Sequence, residues 1–165
     1  MTDALNEFEE KKLPSTLNVL TILTIIGCAI GLIGGLWQFA TADKNVAQIE
    51  AVLNDTATYN ALPDFAKKFM NSEALESAKL VAANKVPILA LNLIGCVLCF
   101  VGALQMRKYK TQGFYYWLIG EVVPIVGGFI FMGNAMTKGW GLLGLVIPLV
   151  FIILYAAQRK HLTEK

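Results

Sequence analysis

Four apolar runs, Leu17–Phe39, Val86–Met106, Phe114–Met132 and Gly141–Ala157, leave this chain few folds to choose from. A helix needs about 20 residues, within a range of about 17–25, to cross the hydrocarbon core of a bilayer. All four runs reach that length, the last only just. Composition agrees: 16% of the 165 residues are charged and mean hydropathy is +0.56, where soluble domains carry about 25% charge. The first run is too long for the apolar core of a signal peptide and follows acidic Glu7, Glu9 and Glu10, so it is read as a retained span. The expected architecture is all-α: a polytopic four-transmembrane-helix bundle with a small helical extracytoplasmic loop domain.

The expected organisation runs as follows. Residues 1–16 form a cytoplasmic tail, 17–39 the first span and 40–85 a helical outer loop. Residues 86–106 form the second span, 107–113 a cytoplasmic turn and 114–132 the third span. Residues 133–140 form an outer turn, 141–157 the fourth span and 158–165 a cytoplasmic tail. Ser15 is the expected N-cap of the first span. Within the loop, Val46, Ile49, Val52 and Leu53 follow helical spacing over residues 43–53. Further helical stretches carry Phe65, Phe69 and Met70, and then Leu75, Ala78 and Val81, with Ser72 as the expected cap of the last. Trp37, Phe39, Trp140 and the Phe114-Tyr115-Tyr116-Trp117 cluster are expected at the membrane interfaces.

Basic residues set the expected orientation. Lys11, Lys12, Arg107, Lys108, Lys110, Arg159, Lys160 and Lys165 cluster beside span ends, whereas Lys44, Lys67, Lys68, Lys79 and Lys85 share their loop with carboxylates. The clustered side is expected to be cytoplasmic, with both termini on it, in an inner or plasma membrane.

Glycine recurs in a fixed frame. Gly27 and Gly34, Gly95 and Gly102, and Gly120 and Gly127 each sit seven residues apart in successive runs. Gly27, Gly31 and Gly35 also form a GxxxGxxxG ladder, which lets a neighbouring backbone approach where lipid offers helices no hydrophobic incentive to associate. Gly27, Gly31, Gly35, Gly95, Gly102, Gly120, Gly127 and Gly128 are therefore candidate helix-packing positions. Pro124 and Pro148 are candidate kinks, each freeing a carbonyl one turn earlier.

Glu121 is the only charged residue inside an apolar run. It lies seven residues into its span, about 10 Å deep at about 1.5 Å per residue. An ionisable group there is a functional candidate, because charge in the bilayer core is costly. The carboxyl is expected to be protonated or paired, with Thr21, Thr24 and Cys99 at similar depth and Arg107 and Lys108 within reach from the turn. It could serve as a hydrogen-bond clamp between helices, as a site for protons or cations, or as a contact for a partner. Asn92 sits nearer the outer face and is expected to make an interhelical bond of its own.

Other chemistry is not encoded in recognisable form. The cysteines Cys28, Cys96 and Cys99 all lie within apolar runs, which argues against a disulfide framework. His161, the sole histidine, sits in a charged tail. No catalytic constellation, metal-ligand spacing, phosphate loop or dinucleotide fingerprint is present, and a net charge of +2 is too small to argue for nucleic acid. No cofactor or metal is expected. Asn54-Asp55-Thr56 is read as an accidental sequon.

The segments Lys-Leu-Pro-Ser-Thr-Leu-Asn-Val-Leu-Thr (12–21), Leu-Pro-Asp-Phe-Ala-Lys-Lys (62–68) and Met-Arg-Lys-Tyr-Lys-Thr-Gln-Gly-Phe-Tyr (106–115) resemble a group of small four-span bacterial inner-membrane proteins. The resemblance implies a bacterial inner-membrane location and carries no chemistry. Small multidrug transporters also use a membrane glutamate, but on their first helix and without a long outer loop. Claudin-like proteins share the loop position, but their loop cysteines are absent here. The function expected from the sequence is a non-enzymatic accessory, scaffold or assembly subunit in contact with lipid and with copies of itself or a membrane-protein partner. The alternative is a small oligomeric transporter or channel using Glu121.

Overall fold

The computed structural model describes residues 13–137 and 140–162; the acidic cluster, Lys11, Lys12, Lys138 and Lys165 lie outside the described residues. Among the described residues the chain is all-helical, with no strand. Seven α-helices follow in order: α1 Ser15–Asn54, α2 Thr56–Ala61, α3 Asp64–Lys67, α4 Ser72–Ala83, α5 Lys85–Arg107, α6 Thr111–Met132 and α7 Trp140–Gln158. Short 3-10 turns cover Gly133–Thr137 and Arg159–His161. Three helices, α1, α5 and α6, are each long and apolar enough to cross a membrane. A bilayer offers backbone groups no water, so a spanning segment must bond within itself, as these helices do.

The expected break between first span and loop does not exist. Helix α1 runs unbroken for 40 residues, through the apolar run and on to Asn54. Residues 40–43 (Ala-Thr-Ala-Asp) change polarity but hold neither glycine nor proline, so nothing stops the helix there. The amphipathic stretch over 43–53 is thus the C-terminal end of α1. It is tied down by Lys85, which pairs with Asp43, and by Lys79, 3.3 Å from Glu50.

Caps also differ from expectation. Ser15 is the first helical residue of α1, with Pro14 before it and no side-chain cap. Asn71 rather than Ser72 caps α4, its Oδ1 accepting from Ala74 N at 2.8 Å. Asp55 caps α2, accepting from Ala57 N, Thr58 N and the Thr58 hydroxyl. The Thr58 hydroxyl, followed by these backbone donors, holds the Asp55 carboxyl below the usual carboxylate range. Helix α3 is a single turn; Phe69 and Met70 fall in the bend after it.

Helices α5 and α6 make the most extensive interface, and α1 packs on α5. The α5–α6 turn closes with Lys110 N donating to Gln105 O and Tyr109 N to Met106 O, Tyr109 taking a positive φ of 59°. This is the pattern of a Schellman cap, with tyrosine where glycine is usual. Gly133, at φ 55°, ends α6 in a conformation that favours glycine.

Buried side chains gather at the end of the bundle that holds this turn. Leu17, Leu20, Met106, Phe114, Trp117, Tyr155 and Leu162 form the core there. The aromatic cluster therefore divides: Tyr115 and Tyr116 are exposed, whereas Phe114 and Trp117 face inward. The Trp117 ring lies 4.3 Å from Tyr155 between centroids. Trp37 is 70% exposed.

Candidate functional site

Side-chain packing on α5 and α6 explains why the site has the shape it does. A Cβ at Gly102 would lie 2.6 Å from Gly113 O, and one at Gly113 2.6 Å from Gly102 O. Two turns along, a Cβ at Gly95 would lie 2.8 Å from Gly120 O, and one at Gly120 2.9 Å from Gly95 O. These reciprocal approaches bring the two backbones together in the geometry in which Cα–H···O contacts form, with the Pro124 ring and Cys99 Sγ alongside the second of them. Gly127 accommodates the Leu91 side chain, and Gly128 meets Met136. Gly120 O is also the carbonyl freed by Pro124, and it is Gly95 that covers it. Both α6 and α7 continue as helix through Pro124 and Pro148.

The glycines of α1 are placed otherwise. Gly35 packs on the Asn92 amide, and Gly31 lies in ordinary contact range of Cys96 Sγ. A Cβ at Gly27 or Gly34 would meet nothing within 4 Å. The ladder is therefore not one continuous packing face within this chain. Gly27 instead lines a groove.

That groove, about 280 Å³ in volume, lies between α1, α5, α6 and α7. Glu121, Thr24, Asn92 and all three cysteines line it, alongside Leu23, Gly27, Gly95, Gly120, Pro124, Ile147, Pro148 and Phe151. Asn92, expected apart from Glu121, thus shares its cavity. Asn92 Oδ1 accepts from Cys96 Sγ at 3.8 Å, within α5.

Glu121 itself is half-buried. Its hydrogen-bond contact among the described residues is the thiol of Cys99, Sγ to Oε1 at 3.7 Å, and that thiol also reaches Trp117 O at 3.6 Å. The expected partners are engaged elsewhere. Thr24 Oγ1 and Tyr155 OH pair at 2.8 Å in the core. Thr21 Oγ1 donates to Asn18 O at 2.9 Å and accepts from Arg107 Nη1 at 3.3 Å. Arg107 also donates to Asn18 Oδ1 at 2.9 Å, so its guanidinium caps the end of the bundle and does not reach Glu121. Neither threonine is a partner for the carboxyl.

Sequence reasoning passed over Tyr155. It is the one hydroxyl in the run Gly141–Ala157, and that isolation was a usable signal, since a buried phenol seeks a partner. The cysteines are free thiols, Cys28 and Cys99 buried and Cys96 half-buried. Among the described residues, no group of His, Cys, Asp and Glu is arranged to hold a metal ion. His161 sits half-buried in the terminal 3-10 turn, away from the groove lining.

Comparison with protein-family models, curated proteins and solved structures finds no match to this chain. The functional reading therefore rests on the groove.

Proposed function

We propose that this chain is a four-span integral membrane protein that carries no enzymatic chemistry and handles a proton or a cation at Glu121. In this reading α7 is the fourth span, residues 40–85 project outside, both termini are cytoplasmic and the membrane is a bacterial inner membrane. Assembly with further copies or with a membrane-protein partner belongs to the same reading.

One observation carries it: a carboxyl in the bundle interior faces a groove while the hydroxyls that could have clamped it serve other groups. A structural clamp needs strong partners. A thiol at 3.7 Å is a weak one. The accessory or scaffold reading draws its support from the outer end, where Phe65 on α3 is 71% exposed and Lys67 and Lys68 follow it.

The test is carbodiimide modification and proton or cation flux in proteoliposomes of the full-length protein. Glu121→Gln keeps volume and hydrogen bonding but cannot titrate. The expected result is unchanged assembly, stability close to wild type, and loss of both labelling and flux. Glu121→Gln and Glu121→Leu that both assemble, with fluxes equal to wild type, would move the function to the outer helices.

A further inference from the structure

We propose that the groove at Glu121 binds a compact lipophilic amine that enters sideways from the bilayer. The inference rests on the cation-site reading and names the cation. A bare hard cation is poorly served here: Ca²⁺ takes about 6–8 oxygen ligands, and Mg²⁺ demands octahedral oxygen geometry. Among the described residues, the side-chain oxygens lining the groove are the Glu121 carboxylate, the Asn92 carbonyl and a Thr24 hydroxyl already paired with Tyr155. The other polar side chains in the lining are thiols. A ligand must therefore bring its own donor hydrogen and cover apolar wall, which Leu23, Pro124, Ile147, Pro148 and Phe151 supply.

The position of the mouth sets the route. Leu23 on α1 and Ile147 on α7 both line the groove and are 46% and 56% exposed. With α1 and α7 as spans, that opening faces acyl chains, so the ligand must dissolve in lipid. An amine crosses lipid in its neutral form, since an isolated charge there is costly. Meeting a protonated Glu121, its nitrogen takes the carboxyl proton, leaving an ammonium–carboxylate pair with no net charge added to the groove. The volume, about 280 Å³, is close to the lower end of the range of about 300–1,000 Å³ for small-molecule sites, so the apolar body is short.

The experiment uses full-length protein in mild detergent, with N,N-dimethyloctylamine as probe because a tertiary amine cannot couple to a carbodiimide-activated carboxyl. Uncharged 1-decanol and sodium chloride serve as comparators. The readouts are the rate of carbodiimide labelling at Glu121, by mass spectrometry, and thermal stability. The amine is expected to slow labelling at least about tenfold, as a charge-assisted pair allows, and to raise Tm in wild type but not in Glu121→Gln. Gly27→Leu, where the first added carbon meets nothing within 4 Å, extends a side chain from the groove wall and is expected to fold and lose the amine effect. Protection by 1-decanol equal to that by the amine overturns the inference, as does protection by sodium chloride with none by the amine; both leave Glu121 reactive and the cation-site reading standing. Failure of the carbodiimide to label Glu121 under any condition takes down both.

Discussion

Gly95 and Gly102 on α5 share a seven-residue spacing with Gly27 and Gly34 on α1, but the two pairs end in opposite surroundings. On α5 each glycine faces a glycine of α6, backbone against backbone. On α1 neither meets any atom within 4 Å of a Cβ position. Spacing of two turns keeps glycines on one face of a helix; it does not supply the opposing face. The α5–α6 hairpin has one because Gly113 and Gly120 repeat the frame in antiparallel order. Helix α1 has no counterpart, and its bare face is left to form a groove wall at Gly27. The same local pattern thus closes one interface and opens another.

That contrast is breakable by substitution. The largest effect is expected at Gly102→Ala, where the added carbon sits 2.6 Å from Gly113 O and from Trp117 N. Backbone must move, at a cost of about 1–3 kcal/mol, read as reduced stability to denaturant or heat in detergent. Thr24→Val tests the neighbouring end of the bundle by leaving the Tyr155 hydroxyl unpaired; interhelical bonds of this kind average about 0.6 kcal/mol, with a maximum of about 1.7. The double variant with Tyr155→Phe is expected to cost less than the sum of the singles. Gly34→Ala is expected to be neutral or to stabilise by up to about 1 kcal/mol, through helix propensity alone. Destabilisation there as large as at Gly102 would mean that α1 has a hidden packing partner and would erase the comparison. The smallest effect lies outside the bundle. The lowered Asp55 carboxyl supports α2 above its unfolded value of about 3.9 and loses that support as pH falls through its folded value. Amide exchange at Ala57 and Thr58 is expected to speed up in acid, and Asp55→Ala to remove this pH dependence.

Some of this was readable in the residues. Length and apolar content announce long helices, and Glu121 stands out by charge alone. The continuity of α1 was not readable from polarity, because the change at Ala40–Asp43 marks the edge of an apolar run and not the end of a hydrogen-bond ladder. The partners of Thr21 and Thr24 were out of reach for a different reason. Arg107 and Tyr155 lie far along the chain and meet the threonines only through the order in which helices pack. Similar depth was a necessary condition for a Glu121–threonine bond, and direction around the helix decided against it. The burial of Trp117 follows the same rule: an aromatic at a span end can anchor outward or fill the core, and Tyr155 on α7 gives its ring a face to pack on.

The unbroken α1 makes the stretch around Asp43–Asn54 and the groove wall parts of one lever. Forty residues at about 1.5 Å each give a rod about 60 Å long. Its N-terminal end is held by Leu17, Leu20 and Thr21 in the core, and its C-terminal end by the ion pairs of Asp43 and Glu50. Gly27 and Cys28 lie between fulcrum and handle. A swing of about 5° about the N-terminal end carries Asn54 through about 5 Å and displaces the groove wall by a proportionally smaller amount. Force applied at the C-terminal end of α1 therefore reaches the groove wall without passing through any hinge.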